Sequence, residues 1–332
     1  MTHYERESMH RIHDFIITDK AEIAPMLRPF DSSLTKLDFS LMKESMSNTG
    51  YAVTTNAGKY FLKLYSNTTD KPETAALTYL KNKINVPALF FYDGSKRRCA
   101  FAYTVTEFLD GDTLLQYLRK SLKFPPELSC EIGRMCAAIH ERKYMHNALL
   151  DEKLNPSQEL SGLPPKREKI LHLLRGKPSE YLKPDTVEKL CAFIKEKPEF
   201  FDRIEAESVL CHGDFGYGNI MLCGGKIYFI DFEFAYAGSR YSDIGRFFRR
   251  KSGDVQALAD RQVCDAFARG YCSVSASPLP SDWLMLAHLC DVSALLCSLT
   301  YDSVPADWAE DVENAILYAI HEGNWRQAAH AE

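Results

Sequence analysis

His212-Gly-Asp-Phe-Gly-Tyr-Gly-Asn219 runs directly into Ile220-Met-Leu-Cys-Gly-Gly-Lys-Ile-Tyr-Phe-Ile230 and then Asp231-Phe-Glu233. The apolar runs Ile220–Cys223 and Ile227–Ile230 flank Gly224-Gly225-Lys226, a pattern that predicts a β-hairpin with a three-residue loop. With Cys223 facing Ile227, Asn219 falls opposite Asp231 at the open end. An amide oxygen beside a carboxylate is a hard oxygen pair of the kind Mg²⁺ prefers. Asp214 lies five residues before Asn219, on a loop turned by Gly213, Gly216 and Gly218. This brings a second carboxylate near the metal position without making it a ligand, and a base beside a metal suits phosphoryl transfer to a hydroxyl. Asn and Asp are also ordinary turn residues, so a surface hairpin with polar ends is the plainer alternative. Three such residues in one hairpin, followed by Ser242-Asp243-Ile-Gly245, favour the chemical reading.

The rest of the chain is consistent with a sizeable enzyme. It has 332 residues, 45% hydrophobic and 26% charged, which is the composition of a folded globular protein with room for two domains. A formal net charge of −5 gives no support to nucleic-acid binding. No apolar run approaches the roughly 18–20 residues of a membrane helix. The start, Met1-Thr-His-Tyr-Glu-Arg-Glu-Ser8, lacks the basic-then-apolar order of a secretory signal. The ten cysteines are scattered and form no Cys-x-x-Cys pair, so neither zinc binding nor a disulfide scaffold is expected, and a reducing cytoplasm is.

Local patterns change character along the chain. After a mixed opening that begins with a helix, Tyr51–Thr55, Asn56–Lys59 and Tyr60–Tyr65 read as strand, turn and strand. Asp70-Lys-Pro-Glu73 opens a helix whose buried stripe is Ala76, Leu77, Leu80 and Ile84. Strands follow near Ala88–Tyr92 and Cys99–Phe108. Beyond Thr113 helical spacing dominates, over Leu114–Leu122, Pro126–Tyr144, Lys166–Leu174, Thr186–Lys195, Val255–Tyr271 and Trp283–Leu299. One β-rich island interrupts it at residues 209–234.

The segment His212 to Asn219 followed by Ile230-Asp231-Phe-Glu233 resembles the catalytic segment of the aminoglycoside phosphotransferase family, which is similar to choline kinases and more distantly to protein kinases. The resemblance spans roughly residues 40–250. It implies an α+β, bilobal protein-kinase-like fold. Residues 1–110 would form a small antiparallel-sheet N-lobe for the nucleotide, and residues 111–332 a larger, mainly helical C-lobe with the catalytic hairpin and a helical acceptor-binding part. Asp214 is then the catalytic base or hydroxyl-orienting residue, and Asn219 and Asp231 hold Mg²⁺. His212 supports the loop, and Asp243 stabilises it from behind. Where many members of the family carry Gly-Asp-Pro, this chain has Gly238-Ser-Arg-Tyr-Ser-Asp243, which leaves the subfamily open.

In such an N-lobe Lys63, alternating with Leu62 and Leu64, is the strand lysine that reaches the α- and β-phosphates. Glu73 shares its helix's buried stripe and needs a partner, for which Lys63 is the natural choice; a capping-box role for Glu73 is compatible with this. Ser47 and Asn48 occupy the place of a phosphate-binding loop, and equally that of a simple turn. Thr106-Glu-Phe-Leu-Asp-Gly-Asp112 resembles the family's hinge, where the backbone of Glu107 to Leu109 would hold the purine of ATP or GTP.

The resemblance implies a small-molecule hydroxyl as the acceptor. Asp302, Asp307, Glu310, Asp311, Glu313 and Glu322 form an acidic tract without Lys or Arg, and Asp302, Asp311 and Glu313 are its candidates for binding an amino-bearing acceptor such as an aminoglycoside antibiotic. The same tract suits a solvated helix face. The run Arg246-Phe-Phe-Arg-Arg-Lys251 could touch an anionic group, with a solvated helix surface as the plainer reading. Choline, homoserine and sugars remain alternative acceptors, and a nucleotide-binding regulator without turnover is the non-enzymatic alternative.

Overall fold

Asn56-Ala57-Gly58 shows how sequence sets register at the start of the fold. Gly58, at φ +150°, lets its carbonyl accept the Thr55 N–H at 2.8 Å. The Asn56 amide oxygen accepts the Thr35 N–H, tying the turn to the preceding segment. The structure, a computed structural model, describes residues 13–43, 47–66, 70–157, 163–249, 255–301 and 303–328, with the backbone alone from 322 onward. The chain divides into two compact units, Met1–Asp110 and Gly111–Glu332.

In the first unit, helix α1 (Lys20–Leu27) precedes β1 (Leu37–Met42), β2 (Thr49–Thr55) and β3 (Lys59–Tyr65). Helix α2 (Asp70–Leu80), β4 (Leu89–Asp93) and β5 (Ala102–Glu107) complete it. The five strands form one antiparallel sheet in the order β1-β2-β3-β5-β4. Period-two alternation sorts β3 into two faces. Leu62 and Leu64 join Ile23, Leu27, Tyr51, Val53, Tyr103 and Val105 in the core beneath α1. Lys63 and Tyr65 lie on the opposite face. The expected stripe of α2, Ala76, Leu77, Leu80 and Ile84, is buried throughout.

The second unit begins with β6 (Asp112–Thr113), α3 (Leu114–Ser121), α4 (Pro126–Ile139), β7 (Lys143–Tyr144) and β8 (Ala148–Leu149). It continues through α5 (Lys166–Leu173), α6 (Pro184–Glu196), α7 (Pro198–Ile204), β9 (Ser208–Cys211), β10 (Ile220–Cys223), β11 (Lys226–Phe229) and β12 (Tyr236–Gly238). Helices α8 (Arg240–Phe247), α9 (Arg261–Cys272), α10 (Trp283–Ser298) and α11 (Ala306–Ala328) close it. An aromatic cluster centred on Phe247, with Phe124, Phe215, Tyr217, Phe248 and Phe267 around it, fills the space below the β-rich island.

Three local expectations change. The helix expected over Pro126–Tyr144 ends at Ile139, because Lys143 and Tyr144 pair with Val209 and Ser208 as a strand. The helix expected over Val255–Tyr271 splits, since the Asp260 carboxylate caps a new start by accepting the Val263 N–H at 3.0 Å. The hairpin register is one residue from that expected: Cys223 pairs with Lys226 and Ile220 with Phe229. The loop is thus Gly224-Gly225 alone, both at positive φ (56° and 75°), which is the backbone of a two-residue turn that follows the strand twist.

Candidate active site

The loop after β9 is shaped by contacts that leave its residues little freedom. Gly213 sits at φ +86°, and a Cβ there would run into the carbonyl of Phe234, so glycine is required on two counts. The N–H groups of His212 and Gly213 donate to the two oxygens of Asp243, at 2.6 and 3.0 Å. Asp243 is fully buried and also receives His140 Nε2 at 3.1 Å, while His140 Nδ1 lies 2.9 Å from the Tyr271 hydroxyl. Burial by itself raises the Asp243 pKa. Hydrogen bonds from the His140 ring and the His212 N–H, with the electrostatic attraction of the His140 side, outweigh it and hold the carboxyl below its ordinary value.

His212 works through both ring nitrogens. A carbonyl can only accept and an N–H only donate, so contact with Ile230 O at 2.9 Å assigns the proton to Nε2. Nδ1 is then the acceptor for the Asp214 N–H at 3.3 Å. The ring packs at a tilt against Phe232, with centroids 4.4 Å apart, and so joins the loop to the end of the hairpin.

Asp214 is half-buried, and each carboxylate oxygen has a partner. Oδ1 accepts from Arg246 Nε at 2.9 Å and lies 2.8 Å from Nη2 in an ion pair. Oδ2 receives Asn219 Nδ2 at 3.0 Å, and the same amide nitrogen donates to the Asp214 carbonyl at 2.8 Å. With its nitrogen so engaged, Asn219 has Oδ1 as its remaining metal-ligand atom. The register change moves Asn219 from opposite Asp231 to opposite Ile230, whose N–H donates to Asn219 O at 3.0 Å. Asp231 follows at φ +66°, a left-handed conformation that is unusual for a non-glycine residue and turns the chain out of the strand. One amide oxygen and a half-exposed carboxylate are hard donors and fit Mg²⁺, which keeps several of its own waters or phosphate ligands.

In the first unit, Lys63 and Glu73 form a buried ion pair, Nζ to Oε2 at 2.7 Å. Tyr65 donates to the same oxygen at 2.6 Å, and its hydroxyl is 3.3 Å from Thr104 Oγ1. Asn48 is buried and its amide oxygen accepts the Ser66 N–H at 2.9 Å, so this side chain braces the ends of β2 and β3 at the place read equally as a phosphate loop or a simple turn. Ser47 beside it is buried as well. Glu107 is the last paired residue of β5: its N–H donates to Ala88 O and its carboxylate accepts the Ala88 N–H. Leu109 lies beyond it, outside the sheet.

The acceptor candidates fare differently. Asp302 lies outside the described residues. Asp311 is half-buried on α11. Glu313 is corrected: only 5% exposed, it accepts the Lys183 N–H and the Thr186 hydroxyl on Oε1 and pairs with Lys183 Nζ through Oε2. Those bonds cap the start of α6, because the peptide N–H groups of a first helical turn need an acceptor and a negative charge suits that end. Sequence reading missed Arg246, which it placed on a solvated surface; the signal was the spacing of Asp243 and Arg246, three apart on one helix. Within the described residues no helix is long and apolar enough to cross a membrane.

The sequence pattern of the phosphotransferase enzyme family matches residues 38–279. No curated protein matches the chain in sequence. Among solved structures, a candidate aminoglycoside phosphotransferase of Ralstonia eutropha JMP134 is similar with a TM-score of 0.65 at 14% identity, over 92% of this chain and 98% of that one. Choline kinase from Cryptosporidium parvum Iowa II gives 0.60 at 13% identity, over 94% and 97%. A thermostable mutant of aminoglycoside phosphotransferase APH(4)-Ia, in ternary complex with AMP-PNP and hygromycin B, gives 0.60 at 15% identity, over 91% and 98%. At these identities the likeness is one of fold, the α+β protein-kinase-like arrangement of an antiparallel-sheet N-terminal region and a helical C-terminal part.

Proposed function

This chain belongs to the phosphotransferase enzyme family, and from that premise we propose that it transfers the γ-phosphoryl group of ATP, in the presence of Mg²⁺, to a hydroxyl of a small, amino-bearing molecule. The observation that carries the reading is the loop from His212 to Asn219. It presents a half-buried carboxylate, held at both oxygens, beside an amide whose oxygen is left for a metal.

Each residue has a separate task. Asp214 orients the acceptor hydroxyl and takes its proton as the oxygen attacks phosphorus. Asn219 and Asp231 hold Mg²⁺, which when bound screens the charge on the phosphate oxygens. Lys63, positioned by Glu73, offers its ammonium to the α- and β-phosphates, and the backbone near Glu107 and Leu109 holds the purine. The chemistry is then mostly placement and charge stabilisation. All ten cysteines are free thiols, which suits the reducing cytoplasm where we place the reaction.

The relatives crystallised with hygromycin B and, in another case, streptomycin support an aminoglycoside-like acceptor. The helix-capping role of Glu313 removes one of the acidic acceptor candidates, which favours keeping choline, homoserine and simple sugars in view. The test is release of ADP or GDP, with Mg²⁺, against a panel of aminoglycosides, choline, homoserine and sugars. Acceptor-dependent release that vanishes in Asp214→Ala supports the proposal. Nucleotide binding with no acceptor-dependent release across the panel counts against it and moves weight to a regulatory role.

A further inference from the structure

One turn of α8 grips three consecutive residues of the catalytic loop. Asp243 takes the backbone N–H groups of His212 and Gly213, and Arg246, three residues on and therefore on the same helix face, takes the side chain of Asp214. The helix making these contacts is itself fixed. A Cβ on Gly245 would run into the carbonyl of Ala287, so α8 lies directly against α10. Arg249, just past the end of α8, pairs with Asp291 of α10 through Nε at 2.7 Å and Nη2 at 2.6 Å. Phe247, between the two arginines, is buried in the aromatic cluster.

The two oxygens of Asp214 have unlike partners. Oδ1 accepts the hydrogen bond of Arg246 Nε and lies 2.8 Å from Nη2 in an ion pair, whereas Oδ2 accepts from the neutral amide of Asn219. We infer that Arg246 is a positioning residue for Asp214: its cation engages Oδ1, and so leaves Oδ2, on the side of the neutral Asn219 amide, as the more basic atom that receives the proton of the acceptor hydroxyl. This rests on the reading of Asp214 as the base. In the step, the hydroxyl O–H bond breaks as the new O–P bond forms. The bond from phosphorus to the β,γ-bridging oxygen breaks with its electron pair leaving on ADP, and the proton goes to Oδ2. A lysine at 246 could bring its charge to Oδ1 but not the rigid planar group of a guanidinium.

The experiment compares wild type, Arg246→Lys and Arg246→Met by Mg·ATP turnover, with water alone and with any acceptor found active, and by crystal structures of all three. The expected result for Arg246→Met is a fall in kcat of about 10- to 100-fold, as displaced catalytic groups give, with the KM for ATP and the thermal midpoint close to wild type. Arg246→Lys recovers part of the rate, and the Asp214 carboxylate leaves its wild-type position in the Met variant. Unchanged kcat in Arg246→Met, or an unmoved Asp214 in its crystal structure, overturns the inference. A wild type with no turnover under any condition overturns the function proposed above, and the Asp214 position in the crystal structures still decides the role of Arg246.

Discussion

Tyr65 donates a 2.6 Å hydrogen bond to Glu73 Oε2, the oxygen that also receives the Lys63 ammonium at 2.7 Å. Lys63 and Tyr65 are two apart on β3 and so share a face. Burial, followed by the charge of Glu73, raises the Tyr65 pKa well above its ordinary value of 10.0, so the phenol stays a neutral donor across the usual assay range. Removing it takes away one of the hydrogen bonds that hold that oxygen. Tyr65→Phe should therefore raise the KM for ATP by about 3- to 10-fold, corresponding to the roughly 1 kcal/mol of a net hydrogen bond. Lys63→Met should cost more. An ATP titration of each variant decides; a Tyr65→Phe enzyme with wild-type KM would show that Lys63 and Glu73 hold each other unaided.

Asp214→Ala and Asp214→Asn should each lower kcat by about 100- to 10,000-fold, the range for loss of a general base. ATP affinity, measured by calorimetry, should stay within about twofold, because the purine and phosphate contacts are assigned to other residues. Residual activity near wild type in either variant removes Asp214 from the mechanism.

For the metal, Asp231→Asn and Asn219→Ala should shift the Mg²⁺ concentration for half-maximal activity upward by at least about tenfold. Each change removes a hard oxygen ligand or weakens its charge. Excess EDTA should abolish wild-type turnover and added Mg²⁺ restore it. Turnover indifferent to both treatments would exclude the assigned ligand pair.

Acid stability follows from five carboxyls held below their ordinary values despite burial, which opposes the shift. They are Asp93 through Ser95 and Arg98, Asp151 through Asn155 and Lys153, Asp243 through His140 and His212, Glu207 through Lys143, Ser277 and Arg240, and Glu313 through Thr186 and Lys183. A depressed folded-state pKa means the unfolded chain binds more protons, so the stabilisation is complete above the ordinary values of 3.8 and 4.5 and is lost as pH falls through the folded ones. The thermal midpoint should be flat near neutrality and drop steeply below about pH 4.5. Glu313→Gln should flatten part of that drop, and Glu313→Ala should cost about 1–3 kcal/mol at neutral pH by leaving the start of α6 uncapped. A pH-independent midpoint between 3 and 5 would contradict the shifts.

Helices α4 and α9 meet at glycines. A Cβ on Gly133 would strike the carbonyl of Phe267, and one on Gly270 that of Cys130. Backbone carbonyls cannot swing aside, so Gly270→Ala should destabilise by about 1–3 kcal/mol or more, as overpacking does. Its urea unfolding midpoint should fall clearly below that of Gly176→Ala, which meets no close neighbour.

Much of the architecture was legible because it is written in local periodicity. Alternation in Tyr60–Tyr65 put Leu62 and Leu64 on one face and Lys63 on the other, and the stripe of α2 gave its buried side. The helices over residues 114–122, 166–174, 186–195 and 283–299 fall within about two residues of their observed limits, the usual uncertainty of helix ends. The loop-and-hairpin stretch with Asp214, Asn219 and Asp231 was legible because chemistry-bearing residues there are close in sequence. The hairpin register was not, since Gly224-Gly225 and Gly224-Gly225-Lys226 are both plausible loops until strand pairing selects one.

What the sequence determined by itself is therefore the strongly periodic elements, strands before residue 110 and helices beyond it, and the identity of the residues in the loop. What only tertiary structure decided is which partner each charged group takes. Glu313 reads as a solvated or ligand-binding carboxylate until α11 places it on the first turn of α6. Asn48 reads as a phosphate-loop residue until it meets Ser66, and Arg246 as a surface cation until α8 aims it at Asp214. The reason is physical. Secondary structure follows from side chains three, four or two positions apart, whereas ion pairs and caps join residues whose proximity exists only after the cores have packed. No periodicity in the chain encodes the 32 positions between Asp214 and Arg246.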